Sequence, residues 1–103
     1  MRFSQRTVLV TGAARGTGES TARMLAAEGA NVVVADVLDE AAAQVAASLG
    51  ECALSVHLDV TAESDWRAAV DATLTRFGRL DALVNNAGVL LMKSIADTTV
   101  ADF

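Results

Sequence analysis

Between an apolar run and a segment of helical period, the chain reads Thr11-Gly12-Ala13-Ala14-Arg15-Gly16-Thr17-Gly18. Glycine loses more backbone freedom on folding than any other residue, so three in eight positions are expensive to order. Their spacing supplies a reason. Gly12 permits a tight turn out of a strand, Gly16 lets backbone come close to a ligand, and Gly18 lets the next helix lie near the sheet. The amides around Gly16, Thr17 and Gly18 then open a helix, where the positive end of the macrodipole favours an anion. The chemistry these residues suit is phosphate binding. A nucleoside triphosphate loop would need Gly-Lys-Ser or Gly-Lys-Thr after the glycines, and the chain has neither.

Asp36 closes the run "NVVVAD", 20 residues after Gly16. An acidic side chain at that place accepts hydrogen bonds from the ribose hydroxyls of an adenosine, and it meets a 2′-phosphate as a like charge. The next residues, Val37 and Leu38, offer no basic partner, which favours NAD over NADP. Arg15 leaves three options open: a 2′-phosphate, the pyrophosphate, or Asp36 itself. The plainer reading of Asp36 is a residue competing with Asp39 to cap the following helix.

The elements that would position these groups are legible along the chain. Thr7–Thr11, Asn31–Asp36, Cys52–Leu58 and Asp81–Asn85 are short aliphatic or β-branched runs of strand length. Most lack polar alternation, as strands do when helices cover both faces of a parallel sheet. Between them lie segments of helical period: Ala22, Leu25 and Ala26; then Ala42, Val45, Ala46 and Leu49; then Trp66, Ala69, Val70, Thr73 and Leu74. Asp39 and Thr61 stand where N-caps would, and Gly29, Gly50 and Gly78 where helices would end. Glu19–Arg23 and Arg67–Asp71 are spaced to pair across one helical turn. The expectation is an α/β fold, a Rossmann-type doubly wound parallel sheet of about four strands and three helices. Strands two and three should lie to one side of the first and strand four to the other, with a switch point between the first and fourth.

Composition bounds the rest. A chain of 103 residues, 52% of them hydrophobic, can close one modest core and is read as one partial domain over residues 1–103. No run approaches the roughly 20 apolar residues that span a bilayer, and the N-terminal residues lack a secretory pattern, so a cytoplasmic protein without a membrane partner is expected. A net charge of −5 gives no basic surface for nucleic acid. Cys52 is the sole cysteine, which excludes an intrachain disulfide or a thiolate metal cage.

The glycine loop from Thr11 to Gly18, Asp36, Asp59-Val60 and Asn85-Asn86-Ala87-Gly88 together resemble the short-chain dehydrogenase/reductase family, in order and on the expected elements. The four landmarks span nearly the whole chain. The resemblance implies Asp59 near the adenine amino group, the Val60 backbone beside it, Asn85 bracing the sheet, and Asn86, Ala87 and Gly88 approaching the cofactor. It implies a dinucleotide partner and a parent substrate that is a small alcohol or ketone. The texture of "VVVADVLDE" and "HLDVTAESDW" is similar to members acting on hydroxysteroids and other secondary alcohols. Thr17 stands where the family usually has an aliphatic residue.

The family's catalytic serine, tyrosine and lysine are a different matter. The chain has no tyrosine, and its one lysine is Lys93, so a Tyr-x-x-x-Lys element is absent in every register. The expectation is a truncated or proteolysed member that keeps the adenosine-binding half, lacks the catalytic half and is inactive alone. Association into a homo-oligomer is expected through the fourth-strand edge around Leu83 and Val84. Two other classes stay open: an S-adenosylmethionine-dependent methyltransferase fragment, which shares a glycine-rich first loop, and a non-catalytic nucleotide-binding or assembly module. His57 reads as a packed or partly exposed strand residue, Cys52 as a small buried hydrophobe, and Trp66 and Phe77 as core.

Overall fold

A computed structural model describes residues 4–86 of the chain. Four strands and three helices alternate: β1 (Thr7–Thr11), α1 (Gly16–Ala27), β2 (Asn31–Asp36), α2 (Asp39–Leu49), β3 (Ala53–His57), α3 (Glu63–Phe77) and β4 (Ala82–Val84), with one 3-10 turn at Gly50–Cys52 before β3. The sheet order is β3-β2-β1-β4 and every pairing is parallel. Leu9 of β1 faces Val33 of β2 on one side and Leu83 of β4 on the other. The chain therefore reverses its direction of travel across the sheet between β1 and β4, as the sequence leads one to expect.

The apolar runs explain this arrangement. Successive strand side chains point to opposite faces, so a run with no polar alternation must be covered on both. Val8, Val10, Val32 and Val34 pack with Ala22 and Leu25 of α1 and with Ala42 and Val45 of α2. Leu9, Val33, Ala35 and Leu83 pack on the other face with Trp66 and Ala69 of α3. Two helices thus cover one face and one covers the other. Full burial of each such aliphatic side chain is worth about 1.5–3 kcal/mol, which holds the strand ends in fixed register. At the opposite end of the sheet, Asp81 anchors β4 to β1: its carboxylate accepts the Thr7 amide at 2.8 Å, and its own amide donates to the Thr7 carbonyl at 2.9 Å. The Arg79 guanidinium bonded to Asp81 holds that carboxyl below the usual carboxylate range.

Several local expectations are corrected. The residues flanking α2 and α3 at their N-termini are Leu38 and Ala62, neither with a side-chain cap. Asp39 instead reaches His57 at 2.6 Å, a partner on another element, and the Thr61 hydroxyl bonds Asp59, two residues before it, at 2.6 Å, so neither side chain caps its helix. Arg67 pairs with Glu63 at 3.0 Å rather than with Asp71, because an acid one turn N-terminal to a base is the favourable orientation. Gly78 ends α3 in the left-handed region, whereas Gly50 leads into the 3-10 turn with φ 89° and ψ −151°. Leu74 is exposed and Cys52 only half-buried. Trp66 is core as expected, and Phe77 packs against the same cluster.

Candidate functional site

The C-terminal ends of β1, β2 and β4 meet at the switch point, the place where open α/β sheets bind ligands. There a groove of about 510 Å³ is lined by Gly12, Arg15, Gly16, Thr17, Asp36, Val37, Leu38 and Asn86. Five of the residues singled out by spacing alone in the two N-terminal motifs are therefore brought to one surface, with Asn86 beside Gly12. Gly18 is buried beneath it, and Asp59 and Val60 lie beyond the end of β3, outside that lining. Ala87 and Gly88 lie outside the described residues. Val37 and Leu38 line the groove too. Their exposed apolar side chains were legible only as missing basic partners, since nothing in their own spacing marks a wall.

Each glycine of the loop has a distinct environment. Gly12 and Gly16 have φ of +60° and +63°, a backbone region that side-chain-bearing residues rarely adopt. Gly16 lines the groove, and a Cβ there would stand in open space, with no atom within 4 Å. A Cβ at Gly18 would stand 2.1 Å from the Gly12 carbonyl oxygen. Gly18 thus lets α1 start against the loop, and Gly16 leaves the loop surface bare.

Asp36 is buried at the end of β2, and its two carboxylate oxygens have different partners. Oδ2 accepts the Ala14 amide of the glycine loop at 3.0 Å, and Oδ1 accepts the Leu38 amide at 3.1 Å. The Ala13 amide also donates to the Ala35 carbonyl at 3.2 Å, so the loop is tied to β2 twice. Asp36 and Arg15 form no ion pair, and the Arg15 side chain lies exposed at the groove. Each Asp36 oxygen keeps a further lone pair for an incoming donor.

Thr11 is a residue shaping the groove that sequence reasoning passed over. Its fully buried hydroxyl accepts the Asn86 amide at 3.0 Å and lies 3.0 Å from Asn85 Oδ1 and 3.4 Å from the Val84 carbonyl. One side chain therefore fastens the end of β1 to the end of β4 and sets Asn86 over the loop, with Asn86 Nδ2 3.3 Å from where a Gly12 Cβ would be. Its position at the head of the glycine motif was the available signal; the partner 75 residues away was not visible.

Beyond β3, the Asp59 carboxylate accepts both the Thr61 hydroxyl and the Thr61 amide, which hold its pKa below the usual carboxylate value. The Asp59 amide donates to Asp65 at 2.9 Å, and the Val60 carbonyl accepts the Trp66 indole N–H at 2.9 Å. This segment is thus held by α3 rather than by the groove. Among the described residues there is no group of three or more metal-ligating side chains and no helix long and apolar enough to cross a membrane.

Comparison with known proteins follows this geometry closely. Residues 6–103 match the family described as short chain dehydrogenase. The chain is 48% identical over 102 residues to the 3-alpha-(or 20-beta)-hydroxysteroid dehydrogenase of Mycobacterium bovis, covering 99% of this chain and 39% of that protein. It is 46% identical to the cyclopentanol dehydrogenase of Comamonas sp., covering 95% of this chain and 40% of the relative. A crystal structure of 3-ketoacyl-(acyl-carrier-protein) reductase from Brucella melitensis, complexed with NADH, superposes with a TM-score of 0.76 at 41% identity, covering 78% of this chain and 33% of that one. The chain spans about two fifths of the length of the curated relatives it matches.

Proposed function

This chain belongs to the short-chain dehydrogenase family, and within it we propose that residues 1–103 form the NAD(H)-binding part of an oxidoreductase that interconverts a secondary alcohol and a ketone. The observation that carries the reading is the groove at the switch point, where bare loop backbone at Gly16 and the Asp36 carboxylate face the same space. The residues present fit a dinucleotide. The pyrophosphate would lie against Gly12, Gly16 and Thr17 at the start of α1, with Gly18 holding the helix close, and Arg15 supplies a cation beside it. Asp36 would accept the adenosine ribose hydroxyls with its remaining lone pairs, while Val37 and Leu38 form an apolar wall. Asp59 and Val60 would border the adenine, and Asn86, with Ala87 and Gly88, the nicotinamide side.

When bound, the nicotinamide supplies or takes the hydride. The chain's own residues bind and orient: Asp36 ties the glycine loop to the end of β2, and Thr11 ties the end of β1 to that of β4. Proton transfer to or from the substrate requires a poised acid, a contribution of about 10²–10⁴-fold in rate. No tyrosine is available for it in this sequence, so we assign binding and not turnover to these 103 residues. The relatives named above are dehydrogenases and a reductase, which favours this reading over a methyltransferase.

Asp36 should set the cofactor preference. Replacing it by alanine removes a ribose acceptor and the repulsion of a 2′-phosphate together, so Asp36→Ala should weaken NADH binding and narrow its advantage over NADPH. Titration of both nucleotides against both proteins provides the test. Discrimination unchanged in the variant would remove Asp36 from the site.

A further inference from the structure

His57 is the last residue of β3, in register with Asp36 on β2, and its side chain is 51% exposed. Its Nδ1 lies 2.6 Å from Asp39 Oδ1 and its Nε2 lies 3.6 Å from Asp65 Oδ2. Those two carboxylates belong to different helices. Asp39 opens α2 directly after Leu38, whose amide is already held by Asp36 and whose side chain lines the groove. Asp65, in the first turn of α3, accepts the Asp59 amide and so fixes the segment that carries Asp59 and Val60. The imidazole thus stands between the two segments that leave β2 and β3.

On the reading that the groove takes a dinucleotide, we propose that His57 is a positioning residue for the adenosine end, clasping Asp39 to Asp65 and thereby holding Val37–Leu38 and Asp59–Val60 in their binding arrangement. Protonation governs the clasp, because Nε2 stands 3.6 Å from Asp65, the distance of an ion pair rather than a hydrogen bond, so the ring holds Asp65 only when it is charged. The charged groups facing the ring are Asp39 on α2, Asp65 on α3 and Asp59 on the connection between β3 and α3. Asp36, beside it on β2, directs its carboxylate to the Ala14 and Leu38 amides. The hydrogen bond to Asp39 and the three nearby carboxylates raise the His57 pKa above 6.5, against a smaller opposing effect of desolvation. The protonated clasp therefore prevails below that ordinary value and opens as pH rises through the raised one. An imidazolium also offsets the acidic rim toward an anionic ligand, so both effects act in the same direction. Dinucleotide affinity should fall as the ring deprotonates.

The test is calorimetric titration of NAD⁺ from about pH 5 to about pH 8, the range in which histidine titrates. It compares the wild type with His57→Gln and Asp39→Asn. NMR titration of the imidazole is followed in the ligand-free wild type and in Asp39→Asn. Wild-type affinity should fall about two- to fivefold across the range, the size expected of an exposed ion pair. His57→Gln should be flat, and Asp39→Asn should both reduce the slope and lower the imidazole pKa. Equal slopes in wild type and His57→Gln, or an imidazole pKa that Asp39→Asn leaves in place, would overturn the clasp while leaving the cofactor reading intact. No binding by any of the proteins at any pH would overturn the cofactor reading itself, and the clasp with it.

Discussion

Adding a single methyl group at Gly18 tests how closely the first helix sits on the glycine loop. An alanine Cβ there would lie 2.1 Å from the Gly12 carbonyl oxygen, 2.7 Å from the Gly12 carbonyl carbon and 3.1 Å from Ala13 Cα. All three are backbone atoms of the loop, so no side chain can swing aside. Reaching the 3.0 Å that real Cβ contacts respect requires α1 and the loop to part by about 0.9 Å. Overpacking of this kind costs about 1–3 kcal/mol, and a backbone clash belongs at the upper end. Alanine regains about 1 kcal/mol of helix propensity over glycine. The net expectation for Gly18→Ala is a loss of about 1–2 kcal/mol, with Tm falling roughly 4–8 °C for each kcal/mol in a domain of this size. The displaced helix N-terminus should also weaken dinucleotide binding. Thermal unfolding by circular dichroism and an NADH titration measure the two effects. A variant with wild-type Tm and wild-type affinity would refute the close packing of α1 on the loop.

Thr11→Val removes a hydroxyl of nearly equal volume and leaves the Asn86 amide without its acceptor, so it should cost about 1–3 kcal/mol, while Thr11→Ser should restore most of it; chemical denaturation of the three proteins checks this. The 103-residue chain should give no sustained ketone-dependent oxidation of NADH, followed by absorbance with a panel of secondary ketones; turnover would show that another group supplies the proton.

What was legible in the sequence was what local pattern alone determines. Val8 to Val10 and Val32 to Val34 lack polar alternation, and a sheet covered on both faces buries them, so a parallel sheet was expected; its order came from the alternation of strands with helices and the right-handed crossovers that alternation requires. The glycine loop was legible from its spacing, and the glycines meet different demands: Gly18 lies where a Cβ would meet backbone at 2.1 Å, and Gly16 takes a positive φ with open space beside it. Asp36 could be picked out by its place at the end of β2, but its bond to the Ala14 amide depends on how two strand ends lie side by side. The same limit hid Thr11, whose partners come from β4 and the residues after it. Capping failed for two reasons. Asp39 and Thr61 have the right chemistry for caps, yet Asp39 meets His57, which only the assembled sheet brings near, and Thr61 bonds Asp59 two residues before it in a local turn.

The central claim is that the groove over Gly16 receives a dinucleotide, and NADH binding to the wild type and to Gly16→Val measures it most directly. Gly16 lines the groove with φ +63°, so valine adds a branched side chain to that bare stretch of lining and strains the backbone by about 1–2 kcal/mol. The account predicts saturable binding of one NADH per chain, displaced by NAD⁺, and weakened about tenfold or more in the variant, which is about 1.4 kcal/mol or more. Circular dichroism shows whether the variant keeps its helices. No saturable binding by the wild type, or equal affinity in a folded Gly16→Val, would contradict it.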